Sequence, residues 1–153
     1  MGTGFRPYRG NWSIRKFTTL STATFRMNAP VSLSSDHLLK EFGTAAANEK
    51  LLGIACHASV DSLPAGEVLV AIPGFGATAL AKVQTGVAAS ALSIGLAYDM
   101  EKSANNLRID VDSATSACVM LMGPINSATS EIEVCFVDTV LLLPPLQAVI
   151  NGF

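Results

Sequence analysis

The chain has 153 residues, of which 50% are hydrophobic and 14% are charged, with a formal net charge of −2 at pH 7. This length favours one domain, which can bury roughly 70% of the surface of its unfolded chain. No apolar run reaches the roughly 18 residues of a membrane helix, since Pro73, Gly74 and Gly76 interrupt the longest candidate, 68–81. The many apolar and few charged residues predict that partners cover part of the surface.

The first 35 residues are basic, and the rest of the chain is acidic. Residues 1–35 carry five basic side chains and no acid, whereas residues 36–153 carry five basic and twelve acidic side chains. Aromatic residues separate the cations, which favours docking against an acidic protein surface over binding nucleic acid. We therefore predict a basic aromatic arm, 1–30, that leads into the first strand. Its predicted contact residues are Arg6, Tyr8, Arg9, Trp12 and Arg15.

Helix is expected at one place, residues 35–52. Ser35 or Asp36 is the candidate cap, and Gly43 is expected to end the helix after about two turns. The basic residues of the first 16 positions do not match a secretory signal, so synthesis in a cytoplasm is expected.

The remainder of the chain is dominated by strand patterns separated by turn signals. Alternating, β-branched or short apolar runs occupy 51–58, 67–73, 107–112, 117–123 and 131–138. Short runs at this spacing are typical of antiparallel sheets rather than of alternating strands and helices. We predict an all-β fold for residues 31–139, either a small antiparallel β-barrel or a jelly-roll-like sandwich, with an extended N-terminal arm and a C-terminal tail.

The segment 98–112 predicts a β-hairpin with its turn at Ala104 and Asn105. The predicted register pairs Tyr98 with Val111, Asp99 with Asp110, Met100 with Ile109, and Glu101 with Arg108. The like-charged pair of Asp99 and Asp110 costs stability unless water, a cation or a basic group intervenes. A solvated face, contact with a basic group of a partner chain, and a bound cation are therefore left as alternatives.

The sequence offers weak candidates for catalysis or metal binding. Cys56 and His57 are adjacent and would lie on opposite faces of a strand, and His37 has no second ligand at metal-binding spacing. The glycine-rich segment 74–79 formally matches a dinucleotide-binding motif, but no acid lies between it and Asp99. The three cysteines are an odd number and are predicted as buried thiols. We predict no enzyme activity, no cofactor and no metal.

The segment 140–153 is predicted as an apolar tail. Its two consecutive prolines prevent a central strand or helix from crossing their position, yet the leucines around them form an apolar patch that should be covered. The cover is either the protein's own sheets, or a neighbouring subunit or larger shell that the tail reaches as an arm. The predicted subunit-interface residues are Leu142, Leu143, Pro144 and Leu146.

Four segments carry a resemblance to a known class of proteins. They are FRPYRGNW (5–12), LLGIACHASVDSLPAGEVLVAIP (51–73), GLAYDMEKSANNLRIDVDSATSACVML (95–121) and SATSEIEVCFVD (127–138). The most distinctive parts are the patterns L-P-A-G-x-V-L-V-A-I-P and Y-D-x-E-K-S-x-N-x-x-x-x-D. Over roughly residues 5–140, the chain resembles the small head-decoration, or cement, proteins of tailed bacteriophages.

The resemblance implies a β-barrel or jelly-roll-like subunit that binds the outside of an assembled icosahedral head. The expected partners are the major capsid protein, contacted by the basic aromatic arm, and further copies of the chain in a homotrimer, or alternatively a dimer. The expected function is that of a structural virion protein on the outer capsid surface, which reinforces the shell by bridging capsomers. A self-assembling coat protein and a host- or carbohydrate-binding β-module are the alternatives.

Overall fold

A computed structural model describes residues 5–43, 49–61, 66–83, 94–103, 106–110, 117–126, 131–137 and 139–143. In this part the chain forms β-strands and one short 3-10 turn, Ser59–Asp61. The strands are β1 Phe5–Arg9, β2 Trp12–Thr18, β3 Pro30–Leu33, β4 Leu39–Glu41, β5 Gly53–Ala55, β6 Glu67–Pro73, β7 Thr78–Lys82, β8 Ala97–Ser103, β9 Asn106–Asp110, β10 Val119–Asn126 and β11 Glu131–Phe136. None of the described residues belongs to a helix long and apolar enough to span a membrane.

The strands form two antiparallel sheets that pack together as a β-sandwich. The first sheet has the order β1-β7-β11-β10-β8-β9, and the second has the order β2-β6-β5-β3-β4. Isolated bridges join Val83 to Ile109 in the first sheet and Thr19 to Leu39 in the second, in each case across several intervening strands. These bridges show that each sheet curls back towards itself. A single bridge is not a ladder, so neither sheet is a closed barrel. The all-β prediction is confirmed in its sandwich form.

The central part of the second sheet, around β5, is buried on both of its faces. Neighbouring residues of the β5 region contribute to different apolar clusters: Leu51 and Ile54 face the first sheet, whereas Leu52 faces the opposite side. The opposite side is covered by the segment between β2 and β3, from which Phe25 inserts with 5% of its surface exposed. Burial on both faces explains why residues 51–55 form a continuous apolar run without alternation.

The helix expected at 35–52 is wrong for the described part of that range. Residues 34–38 form a turn in which Ser34 Oγ accepts a hydrogen bond from the Leu38 N–H at 3.2 Å, and β4 follows in antiparallel pairing with β3. Leu39 and Phe42 are fully buried. The partner strand β3 and the core therefore outweigh the local helix preference. The side-chain hydrogen bond in this turn comes from Ser34 and not from the expected caps Ser35 or Asp36. Residues 44–48 lie outside the described part.

The N-terminal segment differs from the arm expected at residues 1–30. From Phe5 to Thr18 it forms β1 and β2, which are edge strands of the two sheets. Phe5 is fully buried, and its ring stacks on Phe136 with 5.9 Å between the ring centroids. Deleting residues 1–16 would therefore remove part of the core as well as the basic residues.

The predicted hairpin is formed by β8 and β9. Its register pairs Asp99 with Asp110, Met100 with Ile109, and Glu101 with Arg108, as expected. Val111 and the turn residues lie outside the described part. Asp99 is only 9% exposed, so the fully solvated face considered from the sequence is wrong for this residue. Both aspartates interact with other groups, and among the described residues no group of three or more potential metal ligands lies together.

Candidate interaction surface

Strands β1 and β2 together form one side of the sandwich, which we call the β1–β2 edge (residues 5–18). β1 is the terminal strand of the first sheet and β2 is the terminal strand of the second. The chain bends between the two sheets at Gly10, where φ is +81°. Gly10 packs so closely on the connection between β6 and β7 that a Cβ atom there would lie 2.1 Å from the Gly76 carbonyl oxygen. This crossing positions the β1–β2 edge.

The segment 74–77 is the other half of this crossing. It connects β6 to β7 as a turn, and the Gly74 N–H donates a hydrogen bond to the Asn11 carbonyl oxygen at 2.8 Å. No helix follows it in the described residues, which end at Val83 before the next gap. Residues 74–77 are therefore a loop between strands, and Thr78 and Ala79 already belong to β7.

Two of the predicted contact residues form ion pairs within the chain. β7 lies between β1 and β11, and this arrangement brings Arg6 Nε to 3.2 Å from a Glu131 carboxylate oxygen. Arg9 Nε lies 3.7 Å from Glu133, whose carboxylate also accepts a hydrogen bond from Thr78 at 2.6 Å. The positive charge at β1 is thus balanced on the outer face of the first sheet.

Tyr8 and Trp12 organise the backbone and side chains around Arg9. The Arg9 guanidinium lies 4.7 Å from the Tyr8 ring centroid and donates a hydrogen bond to the Tyr8 hydroxyl at 3.0 Å. This hydrogen bond raises the pKa of Arg9 above its usual range. Trp12 is half-buried against the main core, and its Nε1–H donates to the Arg9 carbonyl oxygen at 3.0 Å. Tyr8 is exposed, while Trp12 anchors the edge to the sandwich.

The exposed cations of β2 lie apart from those of β1. In the antiparallel register, Arg15 stands opposite Val70 and Lys16 opposite Leu69, so β6 presents no acid to either residue at these positions. Both are exposed, and neither makes an ion pair with another described residue. Ile14, in the same strand, is 55% exposed. Arg15 was among the contact residues predicted from the sequence, whereas Lys16 and Ile14 were missed. Because side chains alternate along a strand, Lys16 and Ile14 lie on the face of β2 opposite to Arg15.

An apolar groove of about 320 Å³ lies near this crossing. Its lining residues come from four segments of the chain: residues 73–78, Met122, Cys135 with Phe136, and Leu141. Phe75 and Met122 are 65% and 48% exposed. The groove was missed from the sequence because only the folded topology brings these segments together.

The described part of the C-terminal tail is attached to the sandwich and then becomes exposed. The Leu51 N–H donates to the Val140 carbonyl oxygen at 2.7 Å, and the Leu142 N–H donates to the Leu51 carbonyl oxygen at 2.8 Å. Val140 is buried, whereas Leu142 and Leu143 are 39% and 53% exposed. Two predicted interface residues, Pro144 and Leu146, lie outside the described part of the chain.

The cysteines and His57 have structural environments. Burial raises the pKa of the Cys118 thiol to about 11 and also raises the pKa of Cys56. Cys118 is fully buried, while Cys56 and Cys135 are half-buried, so the buried-thiol prediction is confirmed for Cys118. His57 Nε2 accepts a hydrogen bond from the Leu69 N–H at 3.1 Å, just beyond the end of β5. The imidazole nitrogen thus accepts the hydrogen bond of the Leu69 N–H, which within a sheet would normally go to a backbone carbonyl oxygen.

The β1–β2 edge and the apolar groove are therefore the candidate interaction surfaces. No protein-family model, curated protein or solved structure matches this chain. The resemblance to head-decoration proteins accordingly remains a prediction from the sequence segments named above.

Proposed function

We propose that this protein is a structural virion protein that binds the outer surface of an assembled phage head and catalyses no reaction. The observation that carries the proposal is the exposed edge strand β2, on which Arg15 and Lys16 have no acidic partner among the described residues. An edge strand offers unused backbone donors and acceptors. Adjacent cations add attraction to an acidic surface.

The proposed partner segment is an acidic, extended stretch of the major capsid protein. Its carboxylates would pair with the two cations of β2, and its backbone would pair with the edge. Ile14 provides an exposed apolar contact on the same face as Lys16, which suits the mixed polar and apolar character of protein interfaces. The aromatic and ion-paired cluster at Tyr8 and Arg9 would extend the same surface along β1.

Stabilisation of the head follows from linked binding equilibria. A protein that binds the assembled shell but not separate capsomers makes disassembly less favourable by mass action. If the protein forms a homotrimer or a dimer, several equivalent contacts act at once and raise the overall affinity well above that of one contact. Bridging of neighbouring capsomers then requires no conformational change and no chemical step.

The test is a double charge reversal on β2, Arg15→Glu with Lys16→Glu. Both side chains are exposed, so folding should be retained, whereas binding to an acidic partner should weaken at least roughly tenfold. The assay is co-sedimentation of the purified protein with undecorated heads across a concentration series. Circular dichroism and thermal unfolding check the fold of the variant.

The matched control reverses two exposed cations elsewhere, Arg26→Glu with Lys50→Glu, and changes the net charge by the same amount. This control should decorate heads like the unaltered chain. Equal binding by both double variants would refute the role of β2. Closed shells formed by the protein alone would instead identify a self-assembling coat protein.

A further inference from the structure

The apolar groove beside the crossing is adjacent to exposed residues at the start of the C-terminal tail. Phe75 and Met122 stand exposed at the groove, and Leu141, which lines it, leads directly into the exposed residues Leu142 and Leu143. We propose that this groove binds residues 144–153 of a second copy of the chain, so that subunits exchange their C-terminal tails. The proposal concerns contacts between copies and does not depend on binding to a phage head.

The chemistry of the tail matches the lining of the groove. Residues 144–153, PPLQAVINGF, carry no charged side chain and place Leu146, Val149, Ile150 and Phe153 at intervals along ten positions. The residues that line the groove include Phe75, Met122 and Leu141, together with Gly74 and Gly76 of the turn between β6 and β7. An exposed glycine-rich backbone lets an apolar peptide approach closely, since no side chains stand in its way.

The position of the two prolines favours a second copy over the same chain. The hydrogen bond from the Leu142 N–H to the Leu51 carbonyl oxygen attaches the chain to its own sandwich just before the tail. A return into the groove beside Leu141 would need a tight reversal at residues 143–146. A proline disfavours the α region for the residue before it, so the sequence of two prolines opposes an immediate turn of this kind.

The tail is also long enough for exchange. Ten residues in extended conformation span up to roughly 33 Å, which is comparable with the dimensions of a small domain. Tails that cross in this way link subunits at a low energetic cost, because the contacts require no change in the folded body.

The test uses two full-length variants that disable opposite halves of the contact. Met122→Glu places a charge in the groove, and Leu146→Glu places one in the tail. Each is expected to raise the dissociation constant for self-association roughly thirtyfold or more, as loss of an interface anchor does. Sedimentation velocity measures the oligomers, and Phe75→Glu replaces Met122→Glu if that variant does not fold.

Mixing the two variants separates exchange between copies from binding within one chain. Exchange predicts mixed complexes, because the intact tail of the groove variant meets the intact groove of the tail variant. Association that survives in either variant alone, a monomeric unaltered chain, or a mixture that stays monomeric would each overturn the inference. Head binding is measured on the same samples, so loss of tail exchange and loss of head binding are scored separately.

A disulfide provides a geometric readout, because Cys135 already lines the groove. In an Ala148→Cys variant, mild oxidation should join the new tail thiol to Cys135 of another copy and yield covalent oligomers on a non-reducing gel. Replacing Cys135 by Ser in that variant should abolish them. A crosslink confined to single chains, or oligomers that persist without Cys135, would contradict exchange through the groove.

Discussion

Replacing Gly10 by Ala tests whether the crossing of two connections holds the β1–β2 edge in place. At φ +81°, a Cβ atom would lie 2.1 Å from the Gly76 carbonyl oxygen. A left-handed conformation costs a residue with a Cβ about 1–2 kcal/mol, and forcing an extra methyl group into packed structure costs roughly a further 1–3 kcal/mol. We therefore expect Gly10→Ala to lower the free energy of unfolding by about 2–5 kcal/mol.

Gly76→Ala is the matched control for this prediction. Its φ of +75° is nearly the same, but nothing lies within 4 Å of the position that a Cβ would occupy. It should therefore lose only the conformational part, about 1–2 kcal/mol. Urea unfolding of both variants at one fixed protein concentration gives the comparison, because self-association makes apparent stability depend on concentration. Equal losses in the two variants would show that the close approach at Gly10 contributes nothing.

Two further predictions concern the core. Phe5→Ala should lower the free energy of unfolding by about 3–5 kcal/mol, measured by urea unfolding, because Phe5 is fully buried. A loss as small as that of the exposed control Tyr8→Ala would show that Phe5 does not contribute to the core. Burial raises the pKa of the Cys118 thiol from 9.0 to about 11. As the pH rises, the thiol therefore loses its proton in the unfolded chain before it does so in the folded chain. Between pH 9.0 and about pH 11, the free energy of unfolding should fall by up to about 1.4 kcal/mol per pH unit. Cys118→Ala should remove that part of the pH slope in urea titrations, and an unchanged slope would contradict it.

The β8–β9 hairpin shows what the sequence is able to specify. Its register, including Asp99 opposite Asp110, was predictable because two short alternating strands next to a polar turn leave few other pairings. The burial of Asp99 was not predictable, since it depends on the rest of the fold rather than on the hairpin. Local pattern thus determines pairing within the hairpin, while the environment of each face depends on distant segments.

The wrong helix and the missed groove have a common physical cause. Residues 35–43 contain acceptable helix signals, but strand β3 supplies a ladder and the core accepts Leu39 and Phe42, which a local reading does not include. The groove likewise combines the turn at 73–78 with residues from β10, β11 and the tail. Non-local pairing decides both outcomes, and no single stretch of sequence carries that information.

The same dependence on topology decides which N-terminal cations are available to a partner. A count along the sequence treats Arg6, Arg9 and Arg15 alike, because it cannot place β11 near β1. In the fold, Glu131 and Glu133 come from positions more than a hundred residues away and neutralise Arg6 and Arg9. Across from Arg15, in contrast, β6 places Val70.

Exposed ion pairs contribute little to stability, so the ion pairs of β1 chiefly balance charge. The cations of this side of the sandwich that form no ion pair with another described residue lie on β2. Electrostatic attraction to an acidic partner, such as the capsid segment proposed above, is therefore expected to act through β2 first.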